Sequence, residues 1–298
     1  MRFLSEDEVR RRLPMAKAIA ALRQAFLSDE SRNQPRRRLI LPGGTVLHSM
    51  AGAVGPYLGT KIYSTNAKYG AHFHFLLYEA ATGRPLCLMD ANALGQIRTG
   101  AATGVAVELL GPVEATSCAI IGSGFQAWTQ LEAVHVVRKL TEVRVYGRDE
   151  QRRRDFAARA RDAFGLNVEA ASSAERAVRG ADLVVTATNA KDPVIEDQWL
   201  KPGAFVAAMG SNQANRRELP SDTILRAELI AVDSMEQAKI EAGDLLLAKP
   251  HERWVELPLI ELRELLKTPP ASPGGLRIFK SLGIGIEDVA AAAVVWES

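Results

Sequence analysis

The chain has 298 residues, of which 47% are hydrophobic, and its 37 basic and 35 acidic side chains give a formal net charge of +2. This length suffices for two domains with buried cores, and the small net charge argues against a nucleic-acid-binding or membrane-surface protein. No apolar run reaches membrane-spanning length and residues 1–12 are too charged for a signal peptide, so we expect a cytoplasmic protein. Cys87 and Cys118 lie in apolar runs, which predicts buried thiols rather than a disulfide or a metal pair.

The first third of the chain predicts two helices, a group of short strands and a third helix. Ser5 and Glu8 have the spacing of a capping box, and residues 15–27 repeat apolar side chains with helical periodicity. Turns rich in Gly and Pro separate five predicted strands, at residues 39–41, 46–50, 58–63, 73–78 and 86–89. We therefore predict a mostly antiparallel unit. Asp90 is placed to cap a helix over residues 91–110.

From residue 116 strands alternate with helices. The predicted strands are residues 117–121, 142–146, 168–170, 183–186, 205–209 and 229–232. This alternation predicts an α/β domain with a doubly wound parallel sheet of the Rossmann type. Residues 279–283 are predicted to cross back to the first domain ahead of a last helix at about residues 287–296, and a loop is predicted at residues 269–275.

The segment Gly122-Ser123-Gly124-Phe125-Gln126-Ala127 connects the first of these strands to a helix. Gly122 allows a tight turn, Gly124 lets the backbone approach a pyrophosphate, and Ala127 lets the helix pack closely on the strand. The free N–H groups at the helix N-terminus would hold the phosphates. The segment therefore predicts a dinucleotide-binding site.

The end of the second strand bears on which nicotinamide cofactor is used. An NAD site usually has an acidic residue there, which binds the ribose 2′-hydroxyl. Here Gly147 takes that place and Arg148 follows, with three more arginines at residues 152–154. Because a guanidinium suits a 2′-phosphate, we predict a preference for NADP(H). NAD(H) stays possible, since Asp149 could serve a 2′-hydroxyl.

Seven motifs carry a resemblance to one family. They are residues 58–61 (LGTK), 78–86 (YEAATGRPL), 97–102 (IRTGAA), 122–124 (GSG), 180–188 (GAD with TAT), 217–219 (REL) and 279–283 (FKSLG). With them the chain resembles the ornithine cyclodeaminase/μ-crystallin family over nearly its whole length. Members of this family handle the imine of an α-amino or α-keto acid beside a nicotinamide. They include ornithine cyclodeaminases, alanine dehydrogenases and cyclic ketimine reductases.

The resemblance implies an architecture and an assembly. An α+β substrate-binding and dimerisation domain would be built from both chain ends, residues 1–113 and 284–298. A Rossmann-type NAD(P)-binding domain would comprise residues 114–283. The expected partners are a small imino or amino acid and a second copy of the chain, with no nucleic acid and no membrane.

The resemblance also implies the residues of the substrate site. Lys61 would meet the substrate near its reacting carbon, and Met50 would lie beside it. Arg98 would hold the substrate carboxylate, with Arg37, or alternatively Arg38, as a second arginine. A guanidinium fork binds a carboxylate well. Lys61 lies in an otherwise apolar strand, where an unpaired ammonium is costly, so a ligand or an acidic partner is expected.

The implied cofactor site is larger. Its residues are Thr99, Gly122, Ser123, Gly124, Phe125, Gln126, Arg148, Thr186, Ala187, Thr188, Met209, Gly210, Asn212 and Ser281. Thr188 and Asn212 would line the nicotinamide pocket. His72 and His74 alternate on one strand, but no third ligand has suitable spacing, so no metal is predicted.

Two departures from the family pattern select among its activities. Where cyclodeaminases have an aspartate in the turn after the fifth strand, this chain has Asn212, which cannot act as a general base. Where they have a glutamate near the ornithine side-chain amine, this chain has His48. Both changes remove negative charge from a pocket meant for a diamine. We therefore predict an enzyme of proline and amino-acid metabolism that reduces Δ1-pyrroline-2-carboxylate or Δ1-piperideine-2-carboxylate to L-proline or L-pipecolate.

In the predicted reaction Lys61 or His48 would supply the imine proton, since an unperturbed histidine titrates near pH ~6.5. Three alternatives remain at this point. Two are enzymes, an ornithine cyclodeaminase and an amino-acid dehydrogenase of the L-alanine type. The third is a non-catalytic protein that binds NADPH and a small ligand, as μ-crystallin suggests for this scaffold. The intact Lys61 and Arg98 favour an enzyme.

Overall fold

The structure is a computed structural model that describes residues 1–270 and 274–298. It divides into two compact units, one of Met1–Ala102 with Gly283–Ser298 and the other of Thr103–Leu282. The centre of the loop predicted at residues 269–275 lies outside the described residues. Within the described ranges, the helices are all too short or too polar to cross a membrane. The predicted functional division into two domains, with boundaries after residues 113 and 283, stays a prediction.

The first unit is built around one sheet. Its strands are β1 (Arg2–Leu4), β2 (Arg32–Asn33), β3 (Arg37–Ile40), β4 (Val46–Val54), β5 (Tyr57–Asn66), β6 (Gly70–Glu79) and β7 (Pro85–Asp90). Its first helices are α1 (Glu6–Arg12) and α2 (Met15–Leu27), and α3 (Asn92–Leu110) belongs to it as far as Ala102. The strand order is β1-β7-β6-β5-β4-β2, and β3 also pairs with β4. All pairs are antiparallel except β1 with β7, which confirms the predicted mostly antiparallel unit.

The cap of α3 differs from the prediction. Asp90 is the last residue of β7 and lies opposite His74 in the sheet, so it does not begin the helix. The two oxygens of the Glu6 carboxylate instead accept hydrogen bonds from the backbone N–H groups of Asn92 and Ala93, each at 2.7 Å. The carboxylate satisfies two N–H groups that have no partner within the helix and lies at the favourable end of its dipole. A partner 86 residues away was beyond the reach of a local cap pattern.

The second unit alternates strands and helices. Its elements are β8 (Ser117–Ile121), α4 (Phe125–Val137), β9 (Glu142–Tyr146), α5 (Glu150–Phe164), β10 (Val168–Ala170), α6 (Ala174–Val178), β11 (Leu183–Thr186), β12 (Phe205–Ala208), α7 (Ser221–Leu225), β13 (Leu229–Val232), α8 (Met235–Glu241), α9 (Gly243–Leu246), β14 (Leu259–Glu261), α10 (Leu262–Lys267) and β15 (Arg277–Lys280). Short 3-10 helices occupy Asp197–Trp199 and His251–Glu256.

The sheet of this unit has the order β10-β9-β8-β11-β12-β15-β13-β14, and every neighbouring pair is parallel. The predicted doubly wound α/β class is therefore confirmed. From β8 the chain proceeds to β9 and β10 on one side and later returns to β11 and β12 on the other. Ligands of such sheets bind at the carboxyl ends of the strands beside this reversal.

The segment at residues 279–283 was predicted to cross between domains, and its first part is instead a strand. β15 lies between β12 and β13 in the middle of the sheet. Arg277 and Lys280, at the two ends of β15, are buried charged residues. The two charged residues prevented the prediction of a strand here, because a central parallel strand is normally a continuous apolar run.

The last helix, α11 (Gly285–Glu297), belongs to the first unit. Its start packs against β4 so closely that two glycines are required. A Cβ on Gly285 would lie 2.3 Å from the Ala51 carbonyl oxygen, and a Cβ on Gly52 would lie 2.7 Å from the Gly285 carbonyl carbon. The first turn of α11 is thereby held against the buried face of the sheet.

Candidate functional site

The substrate residues predicted in the first unit lie on the buried face of its sheet. The register pairs Met50 with Lys61 and His48 with Tyr63, and alternate residues of a strand share a face. All four side chains are buried. The structure therefore brings Lys61, His48 and Met50 together, as the substrate-site prediction requires.

The first turn of α11 supplies two acids that contact the predicted cations. Asp288 Oδ1 accepts hydrogen bonds from Lys61 Nζ at 2.8 Å and from Arg98 Nε at 3.0 Å. Glu287 Oε2 accepts one from Arg98 Nη1 at 2.9 Å. Both acids are fully buried. Lys61 thus has the acidic partner expected for an ammonium in an apolar strand.

Sequence reasoning missed Glu287 and Asp288 as site residues. Acids in a first helical turn are common because they complement the helix dipole, so the pair did not stand out. The signal that could have found them is the apolar context. The residues that follow, 289–295, are all Ala or Val, and two adjacent acids at the start of a buried helix need cationic partners.

The arginine run places a different residue at the site than predicted. Arg37 is exposed, whereas Arg36 is 6% exposed and donates from Nη2 to the Gly283 carbonyl oxygen at 3.0 Å. Arg38, half-buried, lies opposite His48. Successive side chains of an extended segment point to opposite sides, so Arg36 and Arg38 face the cluster and Arg37 does not. The position of Arg37 therefore departs from the predicted carboxylate-binding role.

The buried cluster carries an excess of positive charge. Its cations are Lys61, Arg98 and Arg36, and its anions are Glu287 and Asp288. When all five are ionised, their formal charges sum to +1. Unbalanced charge is costly in a buried site, so one additional carboxylate fits this arrangement.

The two candidate proton donors differ in pKa. Burial, reinforced by Arg98 and opposed by Asp288, lowers the pKa of Lys61 to about 8. Burial, together with the positive charges of Arg38 and Arg36, lowers the pKa of His48 to about 4. His48 is therefore mainly neutral at pH 7, which favours Lys61 over His48 as the donor, and the identity of the imine proton donor stays a prediction. Its ring stacks on Tyr63 with 4.2 Å between centroids.

The predicted phosphate loop of the second unit has the backbone geometry that a dinucleotide needs. Gly122 has φ +118°, and a Cβ there would lie 2.3 Å from the Ala187 carbonyl oxygen, so no other residue fits. Gly124 is the N-cap of α4, and a Cβ added to it would meet no atom within 4 Å. Ser123, Phe125 and Gln126 complete the turn into α4. The open space at an exposed helix N-terminus fits a pyrophosphate.

The end of β9 shows why glycine stands where NAD sites have an acid. A Cβ on Gly147 would lie 2.5 Å from Ser123 Oγ. Asp149 is occupied as the N-cap of α5, accepting from the Arg152 backbone N–H at 3.0 Å. Arg153 is held by the Gly147 carbonyl oxygen at 3.0 Å, whereas Arg148 is exposed. Of these residues, Arg148 is the one available to a ribose substituent.

The other predicted cofactor residues are distributed as follows. Thr186 ends β11 and Ala187 and Thr188 follow it, while Met209, Gly210 and Asn212 follow β12, and Ser281 follows β15. All seven therefore lie at the carboxyl ends of neighbouring strands in one sheet. Thr99 lies on α3 in the other unit, where its hydroxyl donates to the Gly95 carbonyl oxygen at 2.6 Å.

A buried ionic network that the residue-level prediction missed ties these loops together. Glu218 accepts hydrogen bonds from the Thr188 backbone N–H and hydroxyl, each at 2.7 Å, from the Gly210 N–H at 2.7 Å and from the Thr186 hydroxyl at 3.0 Å. Asp244 accepts from the Glu218 backbone N–H at 2.6 Å. The carboxylate of Glu218 therefore joins the loops that follow β11 and β12.

The remaining predictions concern metals and thiols. Within residues 1–270 and 274–298, no group of three or more His, Cys, Asp or Glu side chains is arranged to hold a metal ion. His72 and His74 are both exposed. Cys87 and Cys118 are buried, as predicted.

Comparisons with known proteins agree with this architecture. The sequence model of the ornithine cyclodeaminase/mu-crystallin family matches residues 1–298. The chain is 31% identical to the ketimine reductase mu-crystallin of Rattus norvegicus, over 99% of this chain and 96% of that protein.

Two solved structures are similar along the whole chain. The Thermococcus litoralis Δ1-pyrroline-2-carboxylate reductase, in complex with NADH and L-proline, superposes with a TM-score of 0.92 at 27% identity and covers 100% of this chain and 97% of its own. An archaeal alanine dehydrogenase dimer with bound NAD superposes with a TM-score of 0.92 at 28% identity, over 100% of this chain and 95% of that chain.

Proposed function

This chain belongs to the ornithine cyclodeaminase/mu-crystallin family, and we propose that it is an NAD(P)H-dependent reductase of cyclic ketimine carboxylates. The substrates would be Δ1-pyrroline-2-carboxylate or Δ1-piperideine-2-carboxylate, and the products L-proline or L-pipecolate. An oxidoreductase that acts on imines is supported by similar proteins that are a ketimine reductase and a pyrroline-2-carboxylate reductase bound to NADH and L-proline. The observation that carries the proposal is the buried cluster of Lys61, Arg98 and Arg36 with Glu287 and Asp288, whose formal charges sum to +1.

Each residue of the cluster has a role in this reaction. The substrate carboxylate pairs with Arg98 and Arg36 and balances the cluster's positive charge. Lys61, with a pKa of about 8, is protonated at pH 7 and acidic enough to transfer a proton from Nζ to the imine nitrogen. The hydride for the new C2–H bond would come from NAD(P)H when it is bound. The amine product carries the proton away, and Lys61 regains one from water.

The site favours a reductase over a cyclodeaminase. A diamine substrate has a second ammonium, which needs an anion at the far end of the pocket. His48 is neutral there, and the region around it contains the cations Arg36 and Arg38. Asn212 cannot act as a general base. A substrate without a second amine fits these charges.

The experiment that tests the proposal follows cofactor oxidation with each cyclic imine, using NADPH and NADH in parallel. Rapid oxidation with either imine would support it. Ammonia release from L-ornithine without net cofactor use would replace it with a cyclodeaminase. Oxidation that requires pyruvate and ammonia would indicate an amino-acid dehydrogenase. Cofactor binding without turnover on any of these substrates would indicate a binding protein.

The two adjacent arginines provide a test of carboxylate binding. We expect Arg36→Met to raise the KM for the imine carboxylate about 10- to 100-fold, because a charge-assisted hydrogen bond of about 1.5–3 kcal/mol is lost. Arg37→Met, one residue away and exposed, should leave KM within about twofold. Steady-state kinetics with varied imine measure both. A larger rise in KM for Arg37→Met than for Arg36→Met would assign carboxylate binding to Arg37.

Cofactor preference is proposed to be for NADP(H), with NAD(H) also accepted. Exposed Arg148 directly after β9 supports this, together with Gly147 in place of an acid. We expect Arg148→Ala to raise the KM for NADPH about tenfold and to leave that for NADH nearly unchanged, because the 2′-phosphate loses one charge-assisted contact. Arg154→Ala, which breaks a surface pair with Glu150, is the matched control. An equal effect on both cofactors would contradict the assignment.

A homodimer is proposed from the exposed face of the first unit's sheet. Leu39, Leu47 and Ile62 share this face and are 60%, 44% and 45% exposed. Such an apolar patch needs covering. We expect Ile62→Glu to convert the dimer to a monomer in sedimentation analysis, whereas Val255→Glu, at an exposed position of the second unit, should leave the dimer intact. A wild-type monomer would contradict the proposal.

A cytoplasmic location is also proposed, on the low cysteine content.

A further inference from the structure

The network beneath the loops after β11 and β12 is the most heavily charged buried feature described in the second unit. Glu218 is fully buried and Asp244 nearly so. Among the contacts of the described residues, the cation that lies against them is Lys280, whose Nζ is 2.9 Å from Asp244 Oδ2 and donates to the Ser211 carbonyl oxygen at 2.6 Å. With all three ionised, the network has a formal charge of −1.

The hydrogen bonds around Glu218 favour its ionised form. Burial and the neighbouring Asp244 raise its pKa. Against this, its two oxygens accept four hydrogen bonds, from Thr186, Thr188 and Gly210, and every one of these partners donates. A protonated carboxyl could donate to a threonine hydroxyl only by reversing one of these hydrogen bonds, whereas the ionised form accepts all four, including one backbone N–H on each oxygen. The arrangement therefore holds the anion, which remains buried with its charge only partly balanced by Lys280.

The location of this charge relates it to the cofactor. The N–H groups of Thr188 and Gly210 point at Glu218, so its carboxylate lies directly behind the backbone at the carboxyl ends of β11 and β12. A Cβ on Gly210 would lie 2.2 Å from the Thr188 carbonyl oxygen, so the two loops touch there. In a doubly wound sheet the ligand binds outside these strand ends. The oxidised nicotinamide ring carries a positive charge, and the reduced ring carries none.

We propose that the Glu218–Asp244–Lys280 network sets the relative affinity for the two redox forms of the cofactor, stabilising NAD(P)+ relative to NAD(P)H through its net negative charge. The inference rests on the proposed use of NAD(P)H and goes beyond it, since it assigns these residues a function that needs no imine. A unit charge acting through low-dielectric protein changes such an equilibrium on the order of tenfold. Glu218 acts through the loops that it holds and is a positioning and electrostatic residue.

The test measures the dissociation constants of the reduced cofactor, by its nicotinamide fluorescence, and of the oxidised cofactor, by competition. The readout is the ratio Kd(oxidised)/Kd(reduced), which cancels any loosening that weakens both equally. Glu218→Gln and Asp244→Asn each remove one negative charge and should raise the ratio about tenfold. Lys280→Met removes the positive charge and should lower it.

Lys280→Met is expected to change the ratio in the opposite direction, which distinguishes an effect of charge from an effect of disturbed packing. It also gives a result if a carboxylate variant fails to fold. Asp182→Asn is the matched control. Its carboxylate accepts hydrogen bonds from the backbone N–H groups of Thr116 and Ser117 at the amino ends of the strands, opposite the carboxyl ends where the cofactor is expected. The ratio of dissociation constants should therefore stay within about twofold of the wild-type ratio.

Three outcomes would overturn the inference. The first is a ratio that no network variant moves more than the control does. The second is a shift of the same sign in all three network variants. The third is a wild-type chain that binds neither form, which would also remove the proposed function. If the wild-type enzyme reduces imines but the network variants leave the ratio unchanged, this inference is wrong and the proposed function stands. A shifted ratio without imine turnover defeats the proposed function alone.

Discussion

Replacing Lys61 with Met is expected to lower kcat for ketimine reduction at least about a hundredfold, because positioned general acids contribute roughly 10²- to 10⁴-fold. Met has a similar length and no ionisable proton. Arg98 still donates from Nε to Asp288 Oδ1 at 3.0 Å, so the acid keeps a cationic partner and the buried cluster is not left with an isolated carboxylate. Steady-state rates at saturating cofactor and imine measure the effect.

Two controls accompany this variant. Lys68→Met removes an exposed lysine in the turn after the same strand and should leave kcat unchanged. The affinity of Lys61→Met for the reduced cofactor should equal that of the wild type, because the predicted phosphate loop lies in the other unit. A Lys61→Met protein whose kcat stayed within a few-fold of wild type would exclude Lys61 as the proton donor.

The second large effect is expected for Asp288→Asn. Removing one member of a buried ion pair typically costs about 3–5 kcal/mol of stability, so unfolding should occur at a clearly lower denaturant concentration. Asp288 also raises the pKa of Lys61 against the effects of burial and Arg98. Without it that pKa falls below about 8. Since Lys61 must be protonated to act, the decline of kcat/KM at alkaline pH should move to lower pH.

Glu287→Gln is the matched comparison, because it changes the neighbouring acid in the same helical turn. Glu287 contacts Arg98 and has no hydrogen bond to Lys61 among the described contacts. We expect its variant to raise the KM for the imine carboxylate and to leave the alkaline limb of the profile in place. The charged groups that face Lys61 in both variants are Arg98 and Arg36, so the comparison isolates the acid. Equal shifts in both variants would contradict the separate roles.

Local sequence patterns were sufficient for several strands of the second unit and for its glycine loop. The strands at residues 117–121, 142–146 and 183–186 were predicted at the bounds observed. The phosphate loop was predicted from its glycines, and Gly122 does require a conformation and a close approach that exclude a side chain. These features depend on the periodicity and backbone sterics of adjacent residues, which the sequence displays directly.

Long-range contacts decided what the sequence left open in the first unit. Lys61 and Asp288 are 227 residues apart, and Glu6 caps a helix 86 residues away. The family resemblance indicated a carboxylate-binding arginine in the run 36–38. Which arginine is buried depends on the register of this segment, and a shift of one residue would change it. A one-residue change reverses the face of every side chain in an extended segment.

The sequence by itself determined the two kinds of sheet and the glycine loop after β8, and its family resemblance indicated the cations Lys61 and Arg98, which the structure places in one buried cluster. The tertiary structure alone decided that Arg36 rather than Arg37 faces the cluster, that His48 is neutral, and that Asp288 and Glu218 hold the two groups of predicted site residues. Periodicity and glycine sterics act between neighbours along the chain. Burial and charge pairing act between residues that only folding brings together, so no local pattern contains them.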